Sequence, residues 1–197
     1  MMTWLFIGLV ITILLTPGPT NTLLASAGIH GGFRKSVQLV PAEAIGYFLS
    51  ISIWGIIIES VSSTAPWLPA ILKLISASYI FYLAIKLWRT SRVAADLSQP
   101  AITAKALFAA TLLNPKGLLF ASAIFPHETW SSLTAYTLHM SVFLSLIVPI
   151  ACFWISIGSL LVSNRVSWLN QCNLQRTASI VLMSFSLPLS YSAISSI

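Results

Sequence analysis

The sequence predicts an all-α membrane protein with six transmembrane helices. They form two inverted three-helix repeats, with helices 1 and 4 broken. Three observations lead there. Of 197 residues, 57% are hydrophobic and only 7% are charged, whereas an ordinary soluble domain carries about a quarter charged residues. Six stretches are apolar and long enough to cross a hydrocarbon core, which takes about 20 residues in a helix. Polar, proline-containing interruptions fall inside the first and the fourth of these, about half a chain apart. The same composition excludes other classes. Ten Lys or Arg and four Asp or Glu are too few to coat a soluble surface, and a disordered chain would be polar and charge-rich. Residues 1–197 therefore read as one polytopic domain, with 1–98 as the first half and 99–197 as the second.

The first span runs from about Thr3 to Leu24. It is not a cleavable signal peptide. It lacks a basic leading segment, and its apolar run meets Thr16-Pro17-Gly18-Pro19 rather than a small-residue cleavage site. The second runs from about Val37 to Ile58. The third lies between Trp67 and Trp88, which resemble interfacial anchors. The fourth runs from Thr103 to Phe125. The fifth, Leu133 to Val162, falls within a charge-free interval from Thr129 to Asn164. The sixth starts near Thr177 and contains Pro188. Because it is rich in serine, five spans with a surface-lying last helix is the alternative.

Basic residues orient this bundle. Arg34 and Lys35 mark the first connection. Lys86, Arg89, Arg92 and Lys105 mark the third, and Arg165 and Arg176 the fifth. The second connection (Glu59 to Pro66), the fourth (Pro126 to Ser132) and both termini carry no Lys or Arg. Positive-inside reasoning puts connections one, three and five in the cytoplasm and both termini outside. Lys73, a short way into the third span, is expected to snorkel to the interface. Lys116 lies near mid-span and needs another explanation.

Thr16-Pro17-Gly18-Pro19-Thr20-Asn21 interrupts the first span and Asn114-Pro115-Lys116-Gly117 the fourth. Proline removes a backbone donor and clashes with the preceding turn. In hydrocarbon the freed backbone groups must be satisfied by protein or by a hydrated cavity. Interrupted helices at corresponding positions of two inverted halves point to a transporter's substrate site; isolated proline kinks would mean packing only. Asn21 and Asn114 supply amide donors and acceptors for capping a half-helix or holding a ligand. Helix N-termini at the breaks favour a carboxylate. A mid-bilayer lysine costs roughly 2.5–3.5 kcal/mol on an insertion scale. Lys116 must therefore cap carbonyls, pair with a carboxylate or contact a solute.

Glu43 and Tyr47 form an i, i+4 pair on one face of the second span. An intramembrane carboxyl group is a candidate proton carrier; pairing with Arg34 or Lys35 is the plainer alternative. Ala42 and Gly46 give a small-residue face for close packing. His139 reads as a packing residue, with a proton relay as its alternative. His30 and His127 sit at loop ends, and Tyr79-Ile80-Phe81-Tyr82 reads as packing and interface. Cys152 and Cys172 are isolated, so neither zinc nor redox chemistry is indicated. No cofactor or metal is expected, because HExxH, GxSxG and CxxC motifs are missing and histidines are sparse. Ten scattered cations do not form a nucleic-acid-binding patch.

The two breaks, His30 to Ser36, and Ser76 to Trp88 together resemble the LysE/RhtB family of amino-acid exporters, over essentially the whole chain. Gly32-Phe33-Arg34-Lys35-Ser36 and Gly46 are most similar to its cysteine/O-acetylserine exporter branch. The resemblance implies a bacterial inner-membrane exporter of amino acids or close derivatives, driven by the proton gradient; the paired breaks of two inverted halves suggest alternating access. Both termini would be periplasmic. The resemblance also implies that Pro17, Gly18, Pro19, Asn21, Asn114, Pro115 and Lys116 belong to the substrate-binding core; Glu43 and Tyr47 are proton-coupling candidates on their intramembrane placement alone. The expected partners are a small amino-acid-like substrate and the lipid bilayer; the sequence does not fix the oligomeric state, and a homodimer is left open because membrane dimers are common. The second span departs from the family, with Ser36 and Ala42 in place of glycines and with Pro41 and Glu43. That departure keeps a transport-inactive accessory subunit as the alternative, ahead of a membrane-embedded enzyme.

Overall fold

The computed structural model describes residues 4–62, 64–65, 67–90, 102–163 and 171–194. Among these, every regular element is helical. In chain order they are α1 (Trp4–Leu15), α2 (Pro19–Ser36), α3 (Val40–Ser62), α4 (Leu68–Thr90), α5 (Ala104–Leu112), α6 (Pro115–Leu119), α7 (Glu128–Ser131), α8 (Leu133–Ser163) and α9 (Gln171–Ile194). A single tight turn, Val37–Leu39, joins α2 to α3, and a wide π-turn, Phe120–Ile124, extends α6.

Two stretches, Pro19–Val61 and Leu133–Leu160, are long and apolar enough to cross a membrane, and α5 with α6 and its π-turn passes as one span bent by 42°. The first stretch has 43 residues. As a straight helix it would reach about 65 Å, roughly twice a hydrocarbon core. Gly32 folds it instead: its φ of 67° and ψ of 173° lie where only glycine is at ease. The chain then doubles back, so that Thr20 Oγ1 and Tyr47 Oη lie 3.2 Å apart although 27 residues separate them.

The helix ends alternate. Phe6, at the start of α1, packs edge-on against Phe125, just past the fourth span's end, with ring centroids 5.3 Å apart. The broken stretches therefore run antiparallel. His127 approaches Glu59 to 3.7 Å at that same end, bringing the second and fourth connections together. At the opposite end Ser159 donates to Gly28 O at 3.3 Å. Arg176 lies over the Trp88 ring at 5.3 Å, and Ser179 donates to Ala84 O at 2.6 Å. The basic residues Arg34, Lys35, Lys86, Arg89 and Arg176 all belong to this end. Arg34 and Lys35 occupy the last turn of α2, where cations suit the helix dipole. Arg92 and Arg165 lie outside the described residues, as does the Lys73 side chain.

Two element bounds differ from the sequence reading. α2 runs on to Ser36 rather than ending near Leu24. Its second half is polar and glycine-rich, so hydropathy hid it. Tertiary packing makes it helical, because small residues let α2 and α8 touch backbone to backbone. A Cβ on Gly28 would collide with Ile155 O, and one on Gly158 with Ala25 O. α9 begins at Gln171, six residues before Thr177. It packs along α4, which carries its polar first turns. Gly46 admits Thr111 of α5, as its small-residue pattern predicts, and Gly55 admits the Trp130 ring.

The α2–α8 crossing yields a stability prediction. Gly28→Val or Gly158→Val should lower the apparent stability of the detergent-purified protein by at least about 1–3 kcal/mol, the usual cost of overpacking. Gly8→Ala, with open space around it, should leave it unchanged or slightly raised. Thermal unfolding followed by size-exclusion chromatography reads both.

Candidate functional site

An α-helix leaves its last four carbonyls without helical partners. At the end of α1 these carbonyls are buried, and side chains from both breaks serve them. Thr16 turns its hydroxyl back to Thr12 O and Ile13 O, each at 2.8 Å. Asn21 Nδ2 donates to Leu14 O at 2.7 Å and to Thr16 O at 2.8 Å. The Lys116 ammonium arrives from the other break and donates to Ile13 O at 2.9 Å and to Thr16 O. A cation at a helix C-terminus also meets the negative end of the dipole.

Gly18 gives Lys116 its path. The backbone there is extended, which any residue adopts. Space is the constraint: a Cβ would sit 3.0 Å from Lys116 Cε and 3.1 Å from Nζ. Pro19 and Pro115 both occupy the first turn of the helix that follows their break, where a missing N–H costs nothing. Each motif thus ends one half-helix and starts another. Pro17 is buried between the two halves.

The two asparagines differ in role. Asn114 is the N-cap of α6: its Oδ1 accepts from Lys116 N at 3.0 Å. Its Nδ2 donates to Tyr47 Oη at 3.1 Å and Thr20 Oγ1 at 3.3 Å. Asn21 instead reaches backward to α1. The Asn114–Thr20 contact brings the N-terminal turns of α2 and α6 together. Glu43, one turn before Tyr47 on α3, interacts with the Thr20 hydroxyl and acts electrostatically on Lys116 and Tyr47. Glu43, Thr20, Asn21, Tyr47, Asn114 and Lys116 are each at most 3% exposed. In an apolar interior, polar groups this buried persist only when they satisfy one another.

Glu43 therefore faces the breaks rather than Arg34 and Lys35, which are exposed on the last turn of α2. His139 stays outside the cluster. Its Nδ1 lies 2.8 Å from Ala135 O, and its ring packs on Phe6 at 4.9 Å. Two residues not singled out from sequence join the site. Thr20 touches three of its side chains, and its place inside the first motif was the available signal. Ser50 lies one turn beyond Tyr47 with its hydroxyl buried and unpartnered, against Gly117, where a Cβ would collide with it. Nothing in the local sequence marks Ser50. Among the described residues, no group of three or more His, Cys, Asp or Glu is arranged to hold a metal ion.

Chemically, the site offers helix N-terminal turns and amide donors on one side. On the other it offers the Glu43 carboxyl group, the α1 carbonyls being taken up by Asn21 and Lys116. That is the polarity of a zwitterion's complement.

Comparison with known proteins follows the same line. A family model described as LysE type translocator matches residues 11–193. An uncharacterised membrane protein of Vibrio cholerae is 30% identical over 118 residues, 57% of each chain. A cysteine/O-acetylserine efflux protein of Salmonella typhimurium is 33% identical over 86 residues, 44% of each chain. An Escherichia coli protein of the same name is 28% identical over 106 residues, 54% of each. The chain thus spans about half the length of the curated relatives it matches. No solved structure matches it.

Asn114 can be tested for its double role. Asn114→Ala should destabilise the protein by about 1–2 kcal/mol through the lost cap, and by more where Thr20 and Tyr47 lose a donor. Asn114→Ser, which restores an N-cap acceptor, should recover the capping part alone. Thermal melts of the three proteins in one detergent measure this.

Proposed function

The chain belongs to the LysE type translocator family of membrane transporters, and we propose that it exports amino acids or close derivatives from the bacterial cytoplasm. The observation that carries this reading is the buried meeting of the two breaks, where Asn114 bonds Thr20 and Tyr47 while Lys116 crosses to α1. Broken helices that meet near mid-membrane are how many secondary transporters build a solute site. A solute carboxylate would lie at the N-terminal turns of α2 and α6, beside Asn114, Thr20 and the Ser50 hydroxyl. Its ammonium group would face Glu43, because Lys116 and Asn21 already occupy the carbonyl end of α1. The efflux function named for two of the relatives supports this solute class.

The antiparallel course of the two broken stretches supports an inverted pair of three-helix halves, residues 1–98 and 99–197. Alternating access then comes from one half rocking against the other. The end bearing Arg34, Lys35, Lys86, Arg89 and Arg176 faces the cytoplasm by the positive-inside rule, with both termini periplasmic. Pro17, Gly18, Pro19, Asn21, Asn114, Pro115 and Lys116 form and hold the site. Glu43 carries the coupled proton, with Tyr47 holding its surroundings. Exchange of that proton against the solute requires no chemical conversion.

Efflux of radiolabelled amino acids from energised vesicles tests this. The wild-type chain should move solute outward with the proton gradient and leave it chemically unchanged; conversion of the solute would indicate an enzyme, and no movement an accessory subunit. Glu43→Gln should lower gradient-driven efflux by at least about tenfold, the effect of ~1.4 kcal/mol, while labelled-for-unlabelled exchange persists. Full gradient-driven efflux by Glu43→Gln would remove Glu43 from the coupling step.

A further inference from the structure

We propose that the carbonyl end of α1 is a cation site whose resident cation is the tethered Lys116 ammonium, so that the transporter needs no free sodium or potassium ion at its first break. This rests on the chain being a transporter, but its geometry stands by itself. Where a membrane helix is interrupted, unwound carbonyls and half-helix C-terminal ends coordinate free cations in transporters of several folds. The same kind of oxygen set is present here. Ile13 O and Thr16 O converge on Lys116 Nζ; Thr16 O is shared with Asn21, which also takes Leu14 O.

Backbone carbonyls, rather than a contact ion pair, receive the hydrogen bonds of Lys116 Nζ. Glu43 interacts with it electrostatically, yet among the described residues no carboxylate oxygen comes within 4.0 Å of Nζ. An ammonium has three donors and no acceptor, so it can fill a cradle of carbonyls as a metal cation would. The tether distinguishes it from a free ion. Lys116 starts in the first turn of α6, passes Gly18 where a Cβ would touch Cε and Nζ, and ends on α1. The cation cannot leave with the solute, and any movement that parts the two breaks must withdraw it from both carbonyls. The positive charge is therefore supplied by the second broken helix to the first, and it couples their positions.

Lys116→Ala removes the tether and leaves the oxygens. Gradient-driven efflux in this variant should fall at least about tenfold, as expected for loss of charge-assisted hydrogen bonds. Methylammonium, a small cation with N–H donors, should restore several-fold of that loss, and tetramethylammonium, which has none, should not. A second readout needs no solute: methylammonium should raise the melting temperature of purified Lys116→Ala in a concentration-dependent way, with no such rise in wild type or with tetramethylammonium. A third needs no variant: wild-type efflux should be unchanged when sodium and potassium are both replaced by N-methyl-D-glucamine at constant proton gradient. Lack of any methylammonium effect on folded Lys116→Ala, or a sodium or potassium requirement in the wild type, would overturn the proposal. A wild-type chain that exports no amino acid would overturn the exporter reading instead, and the melting measurement would still decide the cation site.

Discussion

The end of α1 is the constraint on which the rest depends. A helix that stops inside an apolar interior exposes carbonyl oxygens where no water stands ready to serve them, at several kcal/mol for each group left unsatisfied. This chain supplies the donors from three places. Thr16 turns back on its own helix, Asn21 reaches across the break, and Lys116 arrives from a residue 103 positions distant from Ile13. Once Lys116 must reach Ile13 and Thr16, the fourth span has to lie against the first. It also has to be interrupted where Asn114 can cap α6 and aim Lys116 inward. Gly18 has to be small. The second break exists where it does because the first needs a donor.

The remaining packing serves this junction. Gly28 and Gly158 bring α2 and α8 to backbone contact, and Gly46 brings α3 against α5. Gly117 brings α6 against Ser50 of α3. In a membrane, close packing of small residues replaces the hydrophobic drive that holds soluble helices together. The result is a buried polar centre walled by Tyr47, Phe120 and Phe143, whose rings meet edge-on with centroids 4.8 to 6.0 Å apart. These walls keep the dielectric low, which strengthens each polar contact inside and makes each unmet one costly.

Much of this was legible in the sequence. Scarcity of charge gave the class, and the long apolar stretches match α3, α4 and α8 closely. Proline and glycine marked both breaks, because their backbone chemistry is local. The i, i+4 spacing put Glu43 and Tyr47 on one face, and both are buried at the breaks. What the sequence could not give is of another kind. Whether Asn21 caps forward or reaches back depends on where Leu14 and Thr16 stand in space. Whether Glu43 turns to Arg34 or to Lys116 depends on the rotation of α3. Ser50 has no signature at all, since an isolated serine in an apolar helix is ordinary, and only the approach of Gly117 brings it to the site. The polar second half of α2 reads as a loop until α8 is packed against it.

The central claim is that the meeting of the two breaks is where solute binds. In a chain with Cys152 and Cys172 replaced by serine, a single cysteine at Thr20 can be challenged with a small alkylating reagent. The challenge is run with and without amino acids lacking thiols, O-acetylserine among them. The account predicts that at least one such solute slows alkylation at position 20 in proportion to its occupancy. Ser132→Cys, in the exposed connection between α7 and α8, should show no change. Alkylation at position 20 that no exported solute alters, in a protein that still exports it, would contradict the account.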